Sequence, residues 1–211
     1  NYTIELNATI QSGNALGILV RIDNDKNGYL IQLRDLDNQI KCHTIKTGTV
    51  DVNPFKILNL SDFDVELPID KGEFKVKITA FGNDVKFMID TGNGYIESGT
   101  VNLMSPIVKT GKIGFRTGMH ESGTIGNLSV LSSDGEFLYK SDFSSDDFFF
   151  DGCIVSDNKL FVSNSVFSVL NDINHLKERG NITFIRSPRI QISDKTKIDK
   201  AIVSAASRGT S

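Results

Sequence analysis

Gly17-Ile18-Leu19-Val20-Arg21-Ile22, the turn Asp23-Asn24-Asp25-Lys26-Asn27-Gly28, and Tyr29-Leu30-Ile31-Gln32-Leu33-Arg34 decide the fold class of this chain. Two runs rich in β-branched and aromatic residues flank a cluster of Asp, Asn and Gly, which is the composition of a β-hairpin. Side chains alternate strictly along a strand, so Ile18, Val20, Ile22, Tyr29, Ile31 and Leu33 are expected on one face, the core. Leu19, Arg21, Leu30 and Gln32 then point the other way. Continuing through the turn at Asp35–Asn38 adds Ile40 and Cys42 to the core face and sets Lys41 and His43 beside Arg21 and Gln32. That second face is too polar for another sheet to cover, and it is expected to meet solvent or a ligand.

The same period of two runs outward from this hairpin over about residues 2–167. Tyr2–Leu6 opens the series and Gln39–Lys46 follows the first hairpin. Phe74–Ala80 and Val85–Asp90 form a second hairpin closed by Gly82-Asn83-Asp84. Lys112–Thr117, Ile125–Leu131, Phe137–Lys140 and Lys159–Ser163 complete the pattern. Helical periodicity is nearly absent; Asp172–Arg179 reads as one short helix or a linker. Many short strands without helices between them predict an all-β, antiparallel jelly-roll β-sandwich over residues 1–170, with at most one short helix. Its buried set is expected to include Ile18, Val20, Ile31, Leu33, Phe74, Val76, Ile78, Phe87, Ile89, Ile113 and Phe115.

Length and charge bound the rest. The chain has 211 residues, 39% hydrophobic, with 23 Lys/Arg against 26 Asp/Glu. The net charge of −3 argues against nucleic acid as a partner. No apolar run approaches the roughly 20 residues of a membrane span, so no membrane partner is expected. Residues 171–211 carry eight Lys/Arg and four Asp/Glu, leaving 15 against 22 for residues 1–170. This shift predicts a linker at 171–181 and the start of another domain at 182–211. The chain begins at Asn1 rather than methionine and is expected to be a piece of a longer protein. Cys42 and Cys153 have neither a disulfide pattern nor zinc spacing, and buried free thiols are expected.

Several stretches together resemble the concanavalin-A-like, laminin-G-like modules attached to bacterial glycoside hydrolases. Gly17–Arg21 followed by Gly28-Tyr29-Leu30-Ile31-Gln32 is similar to their first hairpin, and Phe74–Asp90 to a second that ends in Ile-Asp. Gly111-Lys112-Ile113-Gly114-Phe115-Arg116, then Glu121 and Asn127-Leu128-Ser129-Val130, resembles their closing strands, except that Gly126 stands where the pattern has Asp. Ile185-Arg186-Ser187-Pro188-Arg189 and Ile198–Ala206 resemble the opening of the N-terminal β-sandwich of α-L-rhamnosidases, which would be cut short at Ser211. The resemblance implies a secreted or cell-surface module of a glycoside hydrolase. It also implies a structural calcium ion held by turn carbonyls and carboxylates, without placing it; no other cofactor is expected.

Arg21, Gln32 and His43, with Arg116 and Glu121 at the matching edge of the closing strands, are the candidate ligand-binding residues. A guanidinium and an amide offer planar, directional donors suited to sugar hydroxyls. The plain alternative is a solvated face with an Arg–carboxylate pair holding a loop. Asp23, Asp25 and Asn27 match the first half of a calcium loop, but the same residues suit a hairpin turn, and the turn is the favoured reading. Phe143 and Phe148-Phe149-Phe150 are expected to seal the sandwich against a neighbouring domain. His43, His120 and His175 have no metal-ligand spacing, and no nucleophile or phosphate-loop motif occurs. If the chain were itself a glycan hydrolase, Glu66, Glu97 and Glu121 would be its candidate carboxylates.

Three functions remain open at this point: a non-catalytic module that binds carbohydrate or braces its parent enzyme, a sandwich glycan hydrolase, and a laminin-G-like adhesion domain. The first is favoured, and no catalytic residue is expected within this chain. Its partners would be a plant or microbial glycan and the parent's neighbouring domains.

Overall fold

Local hairpins fix three stretches of the architecture. In the computed structural model, β2 (Leu16–Ile22), β3 (Gly28–Arg34) and β4 (Gln39–Lys46) pair in sequence, as do β7 (Phe74–Phe81) and β8 (Asp84–Asp90). The structure describes residues 1–103, 111–144, 150, 153–163 and 166–170. These belong to one compact unit, Asn1–Asn174; a second, His175–Ser211, falls outside the described residues, as do the expected linker, domain start and short helix at 171–211.

Two antiparallel sheets form a sandwich. The first contains β1 (Tyr2–Ser12), β9 (Ile96–Asn102), β11 (Ser122–Ser132), β13 (Ile154–Ser156) and β14 (Lys159–Ser163), in the order β13-β14-β11-β1-β7-β8-β9; β12 (Phe137–Ser141) adds to β11. The second runs β15-β10-β2-β3-β4-β5, using β5 (Thr49–Val50), β10 (Lys112–Arg116) and β15 (Phe167–Val169), with β6 (Lys56–Asn59) also on β4. A single 3-10 turn, Leu60–Phe63, is the one helical element among the described residues. The all-β antiparallel sandwich expected from the alternation is therefore the fold.

Between the sheets lie Ile4, Leu6, Phe74, Val76, Ile78, Phe87 and Ile89 of the first, and Ile18, Val20, Ile31, Leu33, Ile113 and Phe115 of the second. Every residue expected in the core is buried. Cys42 and Cys153 are buried thiols joined in no disulfide, in keeping with their spacing.

Three expectations need correction. Strict alternation fails at the end of β2, where Arg21 and Ile22 exchange faces. Arg21 has φ +56, and the pairing of β2 with β10 slips between Lys112 and Gly114. This is a β-bulge: one extra residue turns the rest of the strand over. Arg21 is only 3% exposed; its backbone N–H donates to the Tyr2 hydroxyl at 3.2 Å, and its guanidinium donates to the Gly82 carbonyl in the opposite sheet's β7–β8 turn. Gly28 permits the bulge, since a Cβ there would lie 2.6 Å from the Arg21 carbonyl oxygen. Ile22 joins Leu19, Leu30 and Ile45 on the outer face.

The second correction follows. That outer face is not uniformly polar: Leu19, Ile22, Leu30 and Ile45 are buried there against Val50, Phe167 and Val169. Strand β15 supplies Phe167 and Val169 at the sheet's edge, which the period of two in β2–β4 does not encode. The third concerns the aromatics. Phe143 and Phe150 are buried in this sandwich's own core, with Phe150 5.0 Å from Phe115 between ring centroids, rather than sealing it against a neighbour. Phe148 and Phe149 lie outside the described residues.

Candidate functional site

The polar half of the second sheet's outer face is built by register. Arg116 of β10 is the Cα partner of Gly17, Gly17 of Gln32, and Gln32 of Lys41, so one row crosses four strands. His43 lies two residues along β4 from Lys41, on the same face. Gly17 leaves no side chain between Arg116 and Gln32; a Cβ would lie 2.6 Å from both the Arg116 carbonyl oxygen and a Leu30 methyl. Glu121, in the turn before β11, comes in from above the row: its Oε1 accepts from Gln32 Nε2 at 3.3 Å, and its Oε2 accepts from the Gly118 N–H.

The structure thus brings together four of the five expected residues, Gln32, His43, Arg116 and Glu121. Arg21 does not join them, because the bulge buries it at the sandwich edge. Nor does Glu121 pair with Arg116. It holds the 118–121 turn through Gly118 and Gln32, while Arg116 has neither ion pair nor hydrogen bond among the described residues. Lys41, whose alternation placed it on this face, is tied to Asp37 at 2.8 Å.

His43 has the most specific chemistry. Its Nδ1 lies 2.9 Å from the Asp51 carbonyl oxygen, which can only accept, so Nδ1 carries the proton and Nε2 is a bare acceptor. Nε2 is buried without a partner among the described residues. Burial holds the imidazole below its usual value, opposed by the Asp51 carbonyl and reinforced by the nearby charges of Arg116 and Lys41. The ring is therefore neutral at physiological pH. A half-buried guanidinium without a partner among the described residues and an amide suit a ligand bearing hydroxyl groups, whereas the imidazole acceptor has no open surface to meet one. They do not supply a nucleophile and base within reach of each other.

The other candidates stand elsewhere. Asp23 and Asn27 build the β2–β3 turn. Asp23 Oδ1 accepts the Asn27 backbone N–H at 2.7 Å and Oδ2 its side-chain amide at 3.0 Å, while Asn27 Oδ1 accepts the Thr47 N–H at 2.9 Å. The Asn27 side chain, above all, holds the Asp23 carboxyl below the usual range. Asp25 is exposed, and no group of three or more His, Cys, Asp or Glu is placed to hold a metal ion among the described residues. Glu97 pairs with Lys86 at 2.6 Å on the first sheet, Glu66 is exposed in a loop, and Glu121 stands in the turn before β11, bonded to Gln32, so these carboxylates form no pair. His120 is exposed within the 118–121 turn; His175 lies outside the described residues.

No family model and no curated protein matches the chain. Among solved structures it is similar to the carbohydrate binding module CBM66 from Bacillus subtilis, with a TM-score of 0.49 and 19% identity over 62% of this chain and 74% of that one. It is also similar to sheep Galectin-11 in complex with glycerol, with a TM-score of 0.40 and 13% identity over 62% and 89%. Chicken Galectin 2 follows at 0.35 and 13%, over 64% and 83%.

Proposed function

We propose that this chain is a non-catalytic carbohydrate-binding module that takes a glycan on the outer face of its second sheet. The observation that carries the reading is the convergence of Gln32, His43, Arg116 and Glu121 there, with the Arg116 guanidinium unpaired among the described residues. Sugar hydroxyls both donate and accept, so one can accept from Arg116 and the next exchange bonds with the Gln32–Glu121 pair. The apolar half of the same face, around Leu19 and Leu30, lies beside the polar row. The motif resemblance supports the finer part of the reading, that the module belongs to a secreted or cell-surface glycoside hydrolase of α-L-rhamnosidase type. Residues 185–206, which carry that part, are the place to extend the sequence: a catalytic (α/α) barrel following Ser211 is its expected signature.

Each charge-assisted hydrogen bond to a sugar contributes roughly 1.5–3 kcal/mol at most. With no tryptophan to stack on, a few such bonds leave a dissociation constant of about 0.1–1 mM after the costs of association. Calorimetric titration against rhamnose-, galacturonate- and fructose-containing oligosaccharides tests this. Arg116→Ala should abolish binding on this face without moving the denaturation midpoint, since the side chain has no described partner to lose. A wild-type chain whose second-sheet face is silent to every sugar at millimolar concentration ends this reading, and a brace for the parent enzyme remains.

A further inference from the structure

On the outer face of the first sheet, polar side chains satisfy one another. Glu5 pairs with Lys77 at 2.6 Å, Lys75 with Asp90 at 3.2 Å and Lys86 with Glu97 at 2.6 Å, while the Thr3 and Thr79 hydroxyls meet at 3.2 Å. The pattern stops where β1, β11 and β14 run side by side. Thr9 is the Cα partner of Thr124, and Thr124 of Phe161, so these three form one outward row; Leu160 and Val162, on either side of Phe161, point into the core. The row lines an open depression of about 750 Å³, within the roughly 300–1,000 Å³ of small-ligand sites.

Two features of this depression point to a ligand. Thr9 and Thr124 are 7% and 3% exposed, yet neither side chain has a hydrogen-bond partner among the described residues. Their hydroxyls open into the depression, where water meets them until a ligand's hydroxyls take its place. Beside them the half-buried Phe161 ring offers an apolar surface, and Gln11 offers an amide with no described partner. The rim is electrically balanced: Lys71 and Lys159 stand against Glu73 and Asp157, and Glu73 is already bonded to Lys159 and Asn7 at 2.9 Å each. No net charge selects an ion.

We propose that this depression is a second saccharide site, taking one neutral sugar ring. The ring's C–H face lies on Phe161, its hydroxyls exchange hydrogen bonds with Thr9 and Thr124, and Gln11 reaches a further hydroxyl. The proposal takes its ligand class from the carbohydrate-binding reading, but its residues, sheet and test are separate. With sites on both outer faces, one chain bridges two glycan strands.

The test is an amide-resolved NMR titration with neutral rhamnose- and fructose-containing oligosaccharides and a galacturonate oligosaccharide of matched length. At least one neutral sugar should shift the Thr9, Gln11, Thr124 and Phe161 amides. The shifts should persist in Arg116→Ala and weaken about fivefold in Thr124→Val, a loss expected for one hydrogen bond. Valine suits a strand, and Thr9→Val provides an independent second variant should Thr124→Val fold poorly. If the row is silent to all sugars at about 10 mM, if neither valine variant changes the shifts, or if Arg116→Ala removes them, the second site is wrong. A galacturonate that binds more tightly than both neutral sugars overturns the neutral class. Shifts confined to this row, with the second sheet's face silent, leave the second site standing while the Arg116 site fails.

Discussion

Arg21 and Arg116 look interchangeable in a list of basic residues, yet they have opposite roles. Arg21 donates from a buried bulge to the Gly82 carbonyl of an exposed turn, so its removal loses a charged-donor hydrogen bond. Arg21→Ala should therefore lower stability by about 1.5–3 kcal/mol while leaving glycan affinity unchanged, as chemical denaturation and titration of the same variant would show. His43 supplies a pH signature. Its folded value is depressed, so on acidification the unfolded chain takes up a proton that the folded chain refuses. The stability it confers is intact above pH of about 7.5 and falls as the pH drops through the unfolded value of about 6.5. Denaturation midpoints measured between about pH 7.5 and 5 should decline in the wild type and flatten in His43→Asn, which keeps a donor toward Asp51.

At the scale of elements, the hairpins were readable because their partners are neighbours in sequence. Turn composition marks β2–β3 and β7–β8, and alternation then assigns Ile18, Val20, Phe74 and Ile78 to the core. Phe74 lies where β7 joins β1, fully buried between the sheets. Phe74→Ala should cost about 3–5 kcal/mol, the range for a large buried aromatic, and an unchanged denaturation midpoint would place that strand's face outward. Other elements were not readable. β9, β13 and β15 are short, carry weak alternation or contain glycine and serine, and form by adding to edges that already exist. The bulge at Arg21 escaped for a different reason: it depends on Gly28 giving room to the Arg21 carbonyl across the hairpin.

Across the whole molecule, β1 is the strand that joins distant parts of the chain. It pairs with β7 on one side and β11 on the other, so Tyr2 faces both Ala80 and Ser132. Such long-range pairing makes the core a single cooperative body. Cys42 and Cys153 report on it, since both thiols are buried and burial pushes the Cys42 thiol up to about 12. Neither cysteine should react with an aromatic disulfide reagent in the native state. Both should react at once in denaturant, and rapid native labelling of Cys42 would show that the sheet around it opens locally.

The sequence alone determined the fold class, the faces of the main hairpins and the identity of the core, because a period of two is a local property that turn residues punctuate. It also determined half of one candidate site: Gln32 and His43 share a face by alternation alone. Only the tertiary structure decided the rest. It set Arg116 in register with Gly17 and Gln32, carried Glu121 over that row, and withdrew Arg21 through a bulge. It also put Thr9, Thr124 and Phe161, separated by up to 152 positions in the chain, side by side on the opposite sheet. Which strands become neighbours depends on burying two sheets against each other at once, and no local pattern encodes that condition.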